Sequence, residues 1–362
     1  MPLLPLAGHE SARRLVAGAI KNGRLPRTLL ISGPAGVGKQ RFALWVAQLL
    51  VCTDPGEEPC GRCPPCRKVL GLAHADVHWF VPIPRPKASD PEKAVEEAEK
   101  TLAELMADRR ENPLWTAPDG MASHAVASAR LLLREAMLTA VEGGSKVFII
   151  GDAERLVPQE SSPEAANALL KIIEEPPRAT YFILTATDPG RLLPTIRSRA
   201  VPLRLGALST DQVSAFLVEH SKDPGSGVLD RSQGSRGSIG NALADSGSTA
   251  RAQETATALL AAIIDPKGAP YELALKQRPW EARGEFSSML EALAETLGSA
   301  ARQRALHDKS VKIGGNRLAA EAPALVEAIA QVERARETAQ GNVNPQVLLA
   351  VLAGDLEEVL CG

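Results

Sequence analysis

Residues 28–51 read TLLISGPAGVGKQRFALWVAQLLV, and this stretch decides the fold class of the chain. Its first five residues are a short apolar run, which is typical of a buried strand, and the run ends at a glycine-rich turn. From Arg41 onward the sequence is long and apolar enough to form a helix. Because a strand, a glycine-rich turn and a helix in this order open a βαβ unit, the stretch predicts an α/β domain.

Four later apolar runs have the length of strands: Val77–Val81, Lys146–Ile150, Tyr181–Thr185 and Val201–Leu205. Helical stretches separate these runs from one another. Strands that alternate with helices are typical of a parallel sheet covered by helices. We therefore predict a parallel α/β domain that extends over residues 1–206.

The α/β pattern ends near Gly206, and helical patterns follow it. Ser209 and Gln212 have the spacing of a capping box that opens a new helix. Residues 222–248 are rich in Gly, Ser and Asp, which keeps helices short, and from residue 250 onward only helical patterns occur. The sequence thus predicts a small helical domain over 207–248 and a larger helical domain over 249–362.

Residues 82–120 form a proline-rich insert in the α/β domain. Inside it, apolar side chains recur at spacings of three and four: Val95, Ala98, Leu102 and Leu105. This spacing predicts a helix that has Pro91 at its first position and Ser89 or Asp90 as its cap. We favour the interpretation that this helix is charged, solvated and on the surface.

Composition excludes several classes of protein. The 362 residues are 44% hydrophobic and 23% charged, as in ordinary globular proteins, and no apolar run approaches the roughly 18 residues that span a bilayer. A net charge of −2 argues against a polybasic nucleic-acid binder, and 3% aromatic residues argue against base stacking. Since the N-terminal residues lack a secretory pattern, we expect a cytoplasmic protein.

Residues 33–39, GPAGVGK, fit the G-x-x-x-x-G-K pattern of a phosphate-binding loop. Glycines let the backbone wrap closely around a phosphate, and backbone N–H groups at the start of the following helix face it. The lysine adds a positive charge, and the flanking strand and helix supply the required context. The candidate nucleotide-binding residues are therefore Gly33, Gly36, Gly38 and Lys39.

Two positions depart from the pattern of an active ATPase site. A serine or threonine is expected after the lysine because its hydroxyl ligates Mg²⁺, but the residue there is Gln40. A metal-binding acid is expected directly after the strand that ends at Ile150, but Gly151 stands there and Asp152 follows it. If the metal-binding position is shifted by one residue, Asp152 becomes the metal ligand, but Gln40 still lacks a hydroxyl. We therefore expect metal-assisted phosphoryl transfer to be impaired.

Four of the five cysteines lie within fifteen residues, at the spacing C-x7-C-x2-C-x2-C. Four thiolates at such spacings can close a tetrahedral zinc site, and the nearby prolines and glycine allow the tight turns that this requires. With no open coordination position implied, the zinc would be structural. The sequence thus predicts a zinc module over residues 52–66, with these ligands: Cys52, Cys60, Cys63 and Cys66.

Further stretches carry a family resemblance: NALLKIIEEPP at 167–177, Thr187 after the next strand, Ser198-Arg199-Ala200, and GSIGNAL at 237–243. With them the chain resembles the AAA+ clamp-loader subunits of bacterial DNA polymerase III, over about residues 1–245. The resemblance implies an AAA+ P-loop α/β domain with a parallel sheet, then a small helical lid domain and an all-α collar domain. It also implies that Thr187 is the sensor 1 residue and that Arg199 is an arginine finger.

Departures from the family pattern favour one type of subunit. A motor subunit of the gamma/tau type would have Thr or Ser at Gln40, Asp at Gly151 and Arg at Gly240, and all three are replaced. Arg199 remains. The resemblance to the delta-prime type implies a stator that can bind ATP without hydrolysing it and that acts through Arg199 on a neighbour's nucleotide. Its implied partners are the gamma/tau and delta subunits, the sliding clamp and primed DNA, within the polymerase holoenzyme.

Two alternatives stay open at this point. The chain can be an active gamma/tau-like ATPase that uses Gln40 and a slipped acid at Asp152. It can also be a zinc-dependent nucleic-acid-binding protein built on an old P-loop scaffold, although its charge and its few aromatic residues argue against that. ATP hydrolysis by the isolated chain would indicate the first alternative, and salt-dependent DNA affinity would indicate the second.

Overall fold

A computed structural model of the chain describes residues 3–112, 123–142, 144–156, 164–220, 227–243, 246–265, 269–276, 283–306, 310–339 and 343–361. These residues fall into two compact units, of which the first ends at Leu243 and the second begins at Ser246. Among the helices described, none combines the length and the apolar character needed to cross a bilayer.

The sheet of the first unit has five strands: β1 (Thr28–Ser32), β2 (Val77–Phe80), β3 (Lys146–Ile150), β4 (Thr180–Ala186) and β5 (Val201–Arg204). All pairs are parallel and the strand order is β2-β3-β4-β1-β5. The five predicted strands are confirmed, with ends that differ by at most one residue. Because parallel strands end at the same edge, the residues after β1, β3 and β4 lie side by side.

Ten helices are described in this unit: α1 (Glu10–Lys21), α2 (Lys39–Val51), α3 (Pro64–Leu70), α4 (Pro91–Glu111), α5 (Val126–Met137), α6 (Glu164–Glu174), α7 (Pro194–Arg197), α8 (Thr210–His220), α9 (Val228–Gly234) and α10 (Ile239–Leu243). Helices α1 and α2 cover one face of the sheet, and α4, α5 and α6 cover the other. The predicted three-layer α/β arrangement is confirmed.

Alternate residues of the central strands enter opposite cores, as the period of a strand requires. Phe148 on β3 is paired in register with Phe182 on β4, and their rings stack at 5.3 Å between centroids. Both side chains are fully buried on the face covered by α4, α5 and α6, while the neighbouring Ile149 and Ile183 enter the core beneath α1 and α2. Both faces of the sheet are therefore apolar.

The insert helix α4 is present, and the side chain of Asp90 caps it by accepting hydrogen bonds from the backbone N–H groups of Glu92 and Lys93. Its interpretation as a solvated surface helix is wrong for one face, because Val95 and Leu102 are buried in the core shared with α5 and α6. The apolar stripe is continuous enough to bury one side of the helix. Residues 113–120 of the insert lie outside the described residues.

The capping box predicted at the start of α8 is confirmed. The backbone N–H of Ser209 donates to Gln212 Oε1 at 3.0 Å, and the N–H of Gln212 donates to Ser209 Oγ at 3.2 Å. Helices α9 and α10 are short, as the composition of this segment predicts. Described residues up to Leu243 belong to the first unit, and a separate lid domain over 207–248 stays a prediction.

The second unit is mainly helical, with α11 (Ser246–Ile264), α12 (Pro270–Leu275), α13 (Arg283–Ala305), α14 (Ala322–Ala339) and α15 (Pro345–Cys361). The prediction of an exclusively helical pattern is wrong at one place: β6 (Lys312–Ile313) and β7 (Asn316–Arg317) form an antiparallel hairpin. Gly314 and Gly315 form its turn with φ of 56° and 89°, which glycine adopts without strain. The two strands are too short to give a periodic signal.

A matched pair of leucines tests the core beneath α5. Leu132→Ala removes a side chain that is 2% exposed, and we expect the variant to lose roughly 2–5 kcal/mol of unfolding free energy in urea denaturation. Leu138→Ala, at a position that is 56% exposed, should change it by about 0.5 kcal/mol or less. Equal losses for the two variants would contradict the assignment of this core.

Candidate functional site

The predicted phosphate loop lies between β1 and α2, at the edge where the parallel strands end. Gly36 and Gly38 have φ of 69° and 98°, in the left-handed region that glycine adopts most easily. The ring of His9 donates from Nε2 to the carbonyl oxygen of Val37 at 2.8 Å and so supports the loop from outside. The strand, turn and helix expected from the sequence are all present.

The ammonium group of Lys39 is bound by the chain itself. Its Nζ donates to the carbonyl oxygens of Gly33 at 2.9 Å and Pro34 at 2.8 Å, and to Thr187 Oγ1 at 3.0 Å. Burial lowers the pKa of this lysine, and the nearby carboxylates of Glu154 and Asp152 oppose that shift. An ammonium has three hydrogens, so each of them has an acceptor within the protein.

Helix α10 lies directly on the phosphate loop. The backbone N–H of Gly240 donates to the carbonyl oxygen of Gly36 at 2.9 Å. A Cβ on Gly240 would lie 2.8 Å from Gly36 Cα, and a Cβ on Gly36 would lie 2.2 Å from Ser238 Oγ. Both positions therefore require glycine in this arrangement, and an arginine at position 240 would force α10 away from the loop.

Gln40 occupies the space around the position where a metal ligand is expected. Its Nε2 donates to Asp152 Oδ1 at 3.1 Å, and its Oε1 accepts from both terminal nitrogens of Arg109 at 3.2 Å each. A Cβ on Gly151 would lie 3.0 Å from the amide carbon and nitrogen of Gln40. The two departures found in the sequence thus fit each other, because a side chain at position 151 would crowd Gln40.

Arg109 is the site residue that the sequence analysis missed. It projects from α4, its side chain is buried, and its guanidinium lies 3.9 Å from the centroid of the Trp79 ring. Burial lowers its pKa to about 9, against the attraction of Asp152 and Asp108, so the group remains charged at neutral pH. The available signal is its spacing, since it follows Leu102 by seven residues and continues the buried stripe of α4.

The ends of β3 and β4 are tied together next to this network. The backbone N–H of Asp152 donates to Thr185 Oγ1 at 3.2 Å, and the N–H of Thr187 donates to Glu154 Oε1 at 2.9 Å. Burial raises the pKa of the Glu154 carboxyl. His124 donates from Nε2 to the carbonyl oxygen of Gly151 at 2.7 Å, and burial lowers its pKa to about 4, which keeps the ring neutral.

The donor set around Gln40 does not fit a magnesium ion. Mg²⁺ requires several oxygen ligands in near-octahedral geometry, and it usually takes carboxylates, waters and phosphates. Here the one oxygen at position 40 accepts from a guanidinium, and an oxygen of Asp152 accepts from the amide of Gln40. A positive charge already lies beside Gln40.

Arg199, the predicted arginine finger, follows α7 and is held at the surface of the first unit. Its Nε donates to Glu174 Oε2 at 2.7 Å, and a terminal nitrogen donates to the carbonyl oxygen of Thr195 at 3.0 Å. Glu174 ends α6, within the segment that carries the family resemblance. The Arg199 side chain keeps 32% of its surface exposed, so a neighbouring molecule can reach it.

The four clustered cysteines come together as their spacing predicts, with their Sγ atoms all within 4.8 Å of one another. The Sγ atoms of Cys60 and Cys66 are 4.0 Å apart, as are those of Cys52 and Cys63. A tetrahedral zinc with Zn–S bonds of about 2.3 Å requires sulfurs roughly 3.8 Å apart. The cluster therefore fits a structural zinc ion.

Glu58, between the first two cysteines, connects this cluster to the helices beside the phosphate loop. Its carboxylate accepts from Trp45 Nε1 at 2.6 Å and pairs with the guanidinium of Arg13 at 2.6 Å. The guanidinium of Arg13 also lies 5.6 Å from the centroid of the Trp45 ring. The cysteine loop is thus attached to α1 and α2 by one carboxylate.

Comparisons with known proteins identify similar clamp-loader subunits. The family described as DNA polymerase III, delta subunit, matches residues 8–209. The delta-prime subunit of Bacillus subtilis is 28% identical over 211 residues, which are 58% of this chain and 51% of that protein. For the delta-prime subunit of Pseudomonas aeruginosa the identity is 33% over 211 residues, 57% of this chain and 52% of that one.

A motor-type relative is also similar. The tau subunit of Escherichia coli is 28% identical over 209 residues, which are 58% of this chain and 26% of that protein. The match with the solved structure of a gamma subunit-related protein of Thermotoga maritima covers 96% of this chain and 98% of that protein's chain, at 15% sequence identity. Its TM-score is 0.40, which is too low to carry an argument. The chain spans about half the length of the delta-prime relatives it matches.

The family match covers more than half of the chain and includes the phosphate loop, the four clustered cysteines and Arg199. Delta-prime subunits stand first among the similar proteins, ahead of the tau and gamma/tau subunits. The chain belongs to the delta-prime subunit family of the DNA polymerase III clamp loader.

Proposed function

We propose that this chain is a non-hydrolysing stator subunit of the clamp loader, which helps to load the sliding clamp on primed DNA. The observation that carries this proposal is the contact of Gln40 with Asp152 and Arg109, in the place where an active site needs a metal ligand. Without a bound metal and a positioned water, the chain has no means of activating a γ-phosphate.

In this proposal Arg199 acts on a nucleotide held by a neighbouring subunit. An arginine supplied in trans stabilises the charge that develops on a γ-phosphate during its transfer. The surface position of Arg199 and its orientation by Glu174 support such a role. Arg199 would then be a catalytic residue of the neighbour's site, while Glu174 would position it.

The partners follow from family membership. A stator needs motor subunits of the gamma/tau type beside it, together with a delta subunit, a sliding clamp and primed DNA. The second unit, with its buried core from α11, α13, α14 and α15, is the part that we assign to ring assembly as a collar. DNA contact takes place within the assembled complex in this proposal.

A gamma/tau-like ATPase is the second candidate function, and it has one observation in its favour. The tau subunit of Escherichia coli matches nearly the same share of the chain at the same 28% identity as the Bacillus subtilis delta-prime subunit. Hydrolysis of ATP by the purified chain separates the two candidates. The stator proposal expects none above background, and clear turnover by the chain alone would assign it to the motors.

We further propose that the four clustered cysteines hold one structural zinc ion. They would bind it as thiolates, and the ion would replace the weak contacts among four sulfurs by four metal–ligand bonds. Since Glu58 attaches the same loop to α1 and α2, the ion would hold the helices beside the phosphate loop in place. No open coordination position is left for chemistry.

Arg199→Ala tests the action in trans. In a complex reconstituted with a motor subunit, the delta partner, clamp and primed DNA, we expect turnover at the neighbouring site to fall by about 10³-fold, because the γ-phosphate loses its arginine. Single-turnover ATP hydrolysis measures this. Arg197→Ala, at an exposed residue two positions earlier, is the control and should leave turnover unchanged. Unchanged turnover in Arg199→Ala would refute the role.

Zinc binding is tested by elemental analysis of the reduced protein. We expect about one zinc per chain from four thiolate ligands, and loss of that zinc in Cys60→Ser because one ligand is removed. The fifth cysteine provides the control: Cys361 lies on α15, outside the cluster, so Cys361→Ser should retain full zinc. A zinc content near zero in the metal-replete wild-type chain would exclude the site.

A further inference from the structure

The P-loop fold implies a magnesium nucleotide, and the residues around Gln40 do not fit its metal. The sequence shows only that a hydroxyl and an acid are missing there. In the structure a cation from another helix is present at the same place, because both terminal nitrogens of Arg109 donate to Gln40 Oε1 at 3.2 Å. The site has therefore gained a charged group as well as lost two ligands.

The surroundings of Arg109 are suited to a permanent charge. Its guanidinium lies over the Trp79 ring at 3.9 Å and faces the carboxylate of Asp152, while its side chain is only 5% exposed. A buried guanidinium is stable only where hydrogen-bond acceptors and opposite charge surround it. These partners come from α2, from the end of β3 and from β2, and α4 supplies the arginine itself.

We propose that Arg109 takes the place of the metal ion in this site and that the site is closed to magnesium nucleotides. The inference rests on the proposed stator function and deepens it. The guanidinium attracts the carboxylate of Asp152 and fixes the amide of Gln40, so it supplies positive charge where a divalent cation would lie between a loop residue and a strand-end acid. The cation is part of the chain, so it is present whatever the nucleotide concentration.

The contact between α10 and the phosphate loop also favours a site that is closed to nucleotides. The N–H of Gly240 donates to the carbonyl oxygen of Gly36, and a Cβ on Gly240 would lie 2.8 Å from Gly36 Cα. The backbone of α10 thus packs directly against the phosphate loop. The ammonium of Lys39 is bound to Thr187 and to two loop carbonyls.

When the guanidinium is removed, the oxygens that it contacted should bind another cation. In Arg109→Met the side chain keeps much of its length and its place over Trp79, but the Asp152 carboxylate and the Gln40 oxygen lose their positive partner. Breaking a buried charged contact is strongly destabilising because it leaves the other charge uncompensated. A divalent ion that binds these oxygens would stabilise the variant, by an amount that grows with the logarithm of its concentration once that exceeds the Kd.

Thermal unfolding of the full-length chain tests this proposal, with Tm measured in a magnesium-free buffer without a chelator, in MgCl₂, and in MgCl₂ with ATP, so that the zinc proposed at the cysteine cluster is left in place. For the wild type we expect the same Tm in all three solutions. For Arg109→Met we expect a Tm that is about 6 °C or more below that of the wild type in the magnesium-free buffer, with a rise in MgCl₂. The matched control is Arg110→Met, at the exposed neighbouring position on α4, which should behave as the wild type.

Arg109→Lys is the second variant and keeps the proposal testable where the methionine variant does not fold. A lysine retains the charge but cannot donate to one oxygen from two nitrogens at once. We therefore expect a Tm between those of the wild type and of Arg109→Met, without a response to MgCl₂. Stability of Arg109→Met equal to that of Arg110→Met would overturn the proposal.

The outcomes separate this inference from the function on which it rests. A rise in the Tm of the wild type with magnesium and ATP would show that the site is open and would overturn the replacement of the metal by Arg109. The stator function would survive that result as long as the isolated chain hydrolyses no ATP. Turnover by the isolated chain would refute both.

Discussion

The site depends on the amide side chain of Gln40, which contacts both Asp152 and Arg109. A primary amide carries a donor and an acceptor on the same carbon, so it can bind an acid on one side and a guanidinium on the other. Neither a hydroxyl nor a carboxylate at this position would form that pair of contacts as well. Through it, α2, the end of β3 and the insert helix α4 are held together.

Each replaced glycine lies against a close neighbour, and one of these neighbours is itself a replaced residue. Gly151 leaves room for Gln40, because a Cβ at position 151 would lie only 3.0 Å from the Gln40 amide. Gly240 leaves room for Gly36, because a Cβ at position 240 would lie only 2.8 Å from Gly36 Cα. Restoring a single family residue would therefore disturb a contact elsewhere. Gln40 and Gly151 thus form one arrangement, while Gly240 packs against the phosphate loop by a separate contact.

Two groups that the family resemblance singles out lie away from this network, and each is attached by a carboxylate. Glu174 binds Arg199 at the end of α6, and Glu58 binds Trp45 and Arg13 from within the cysteine loop. Exposed ion pairs of this kind contribute little to stability, so their effect is to orient the groups that they hold. Arg199 faces outward, whereas Arg109 is turned into the protein.

The sequence by itself determined the five strands, the phosphate loop, the first residue of α4 and the grouping of the four cysteines, because each depends on residues that are close along the chain. Only the tertiary structure decided the part played by Arg109, which meets Gln40 across 69 residues. A buried charge is stable only if its partners surround it, and local patterns do not contain those partners. The packing of α10 on the loop was decided in the same way, by contacts between distant glycines.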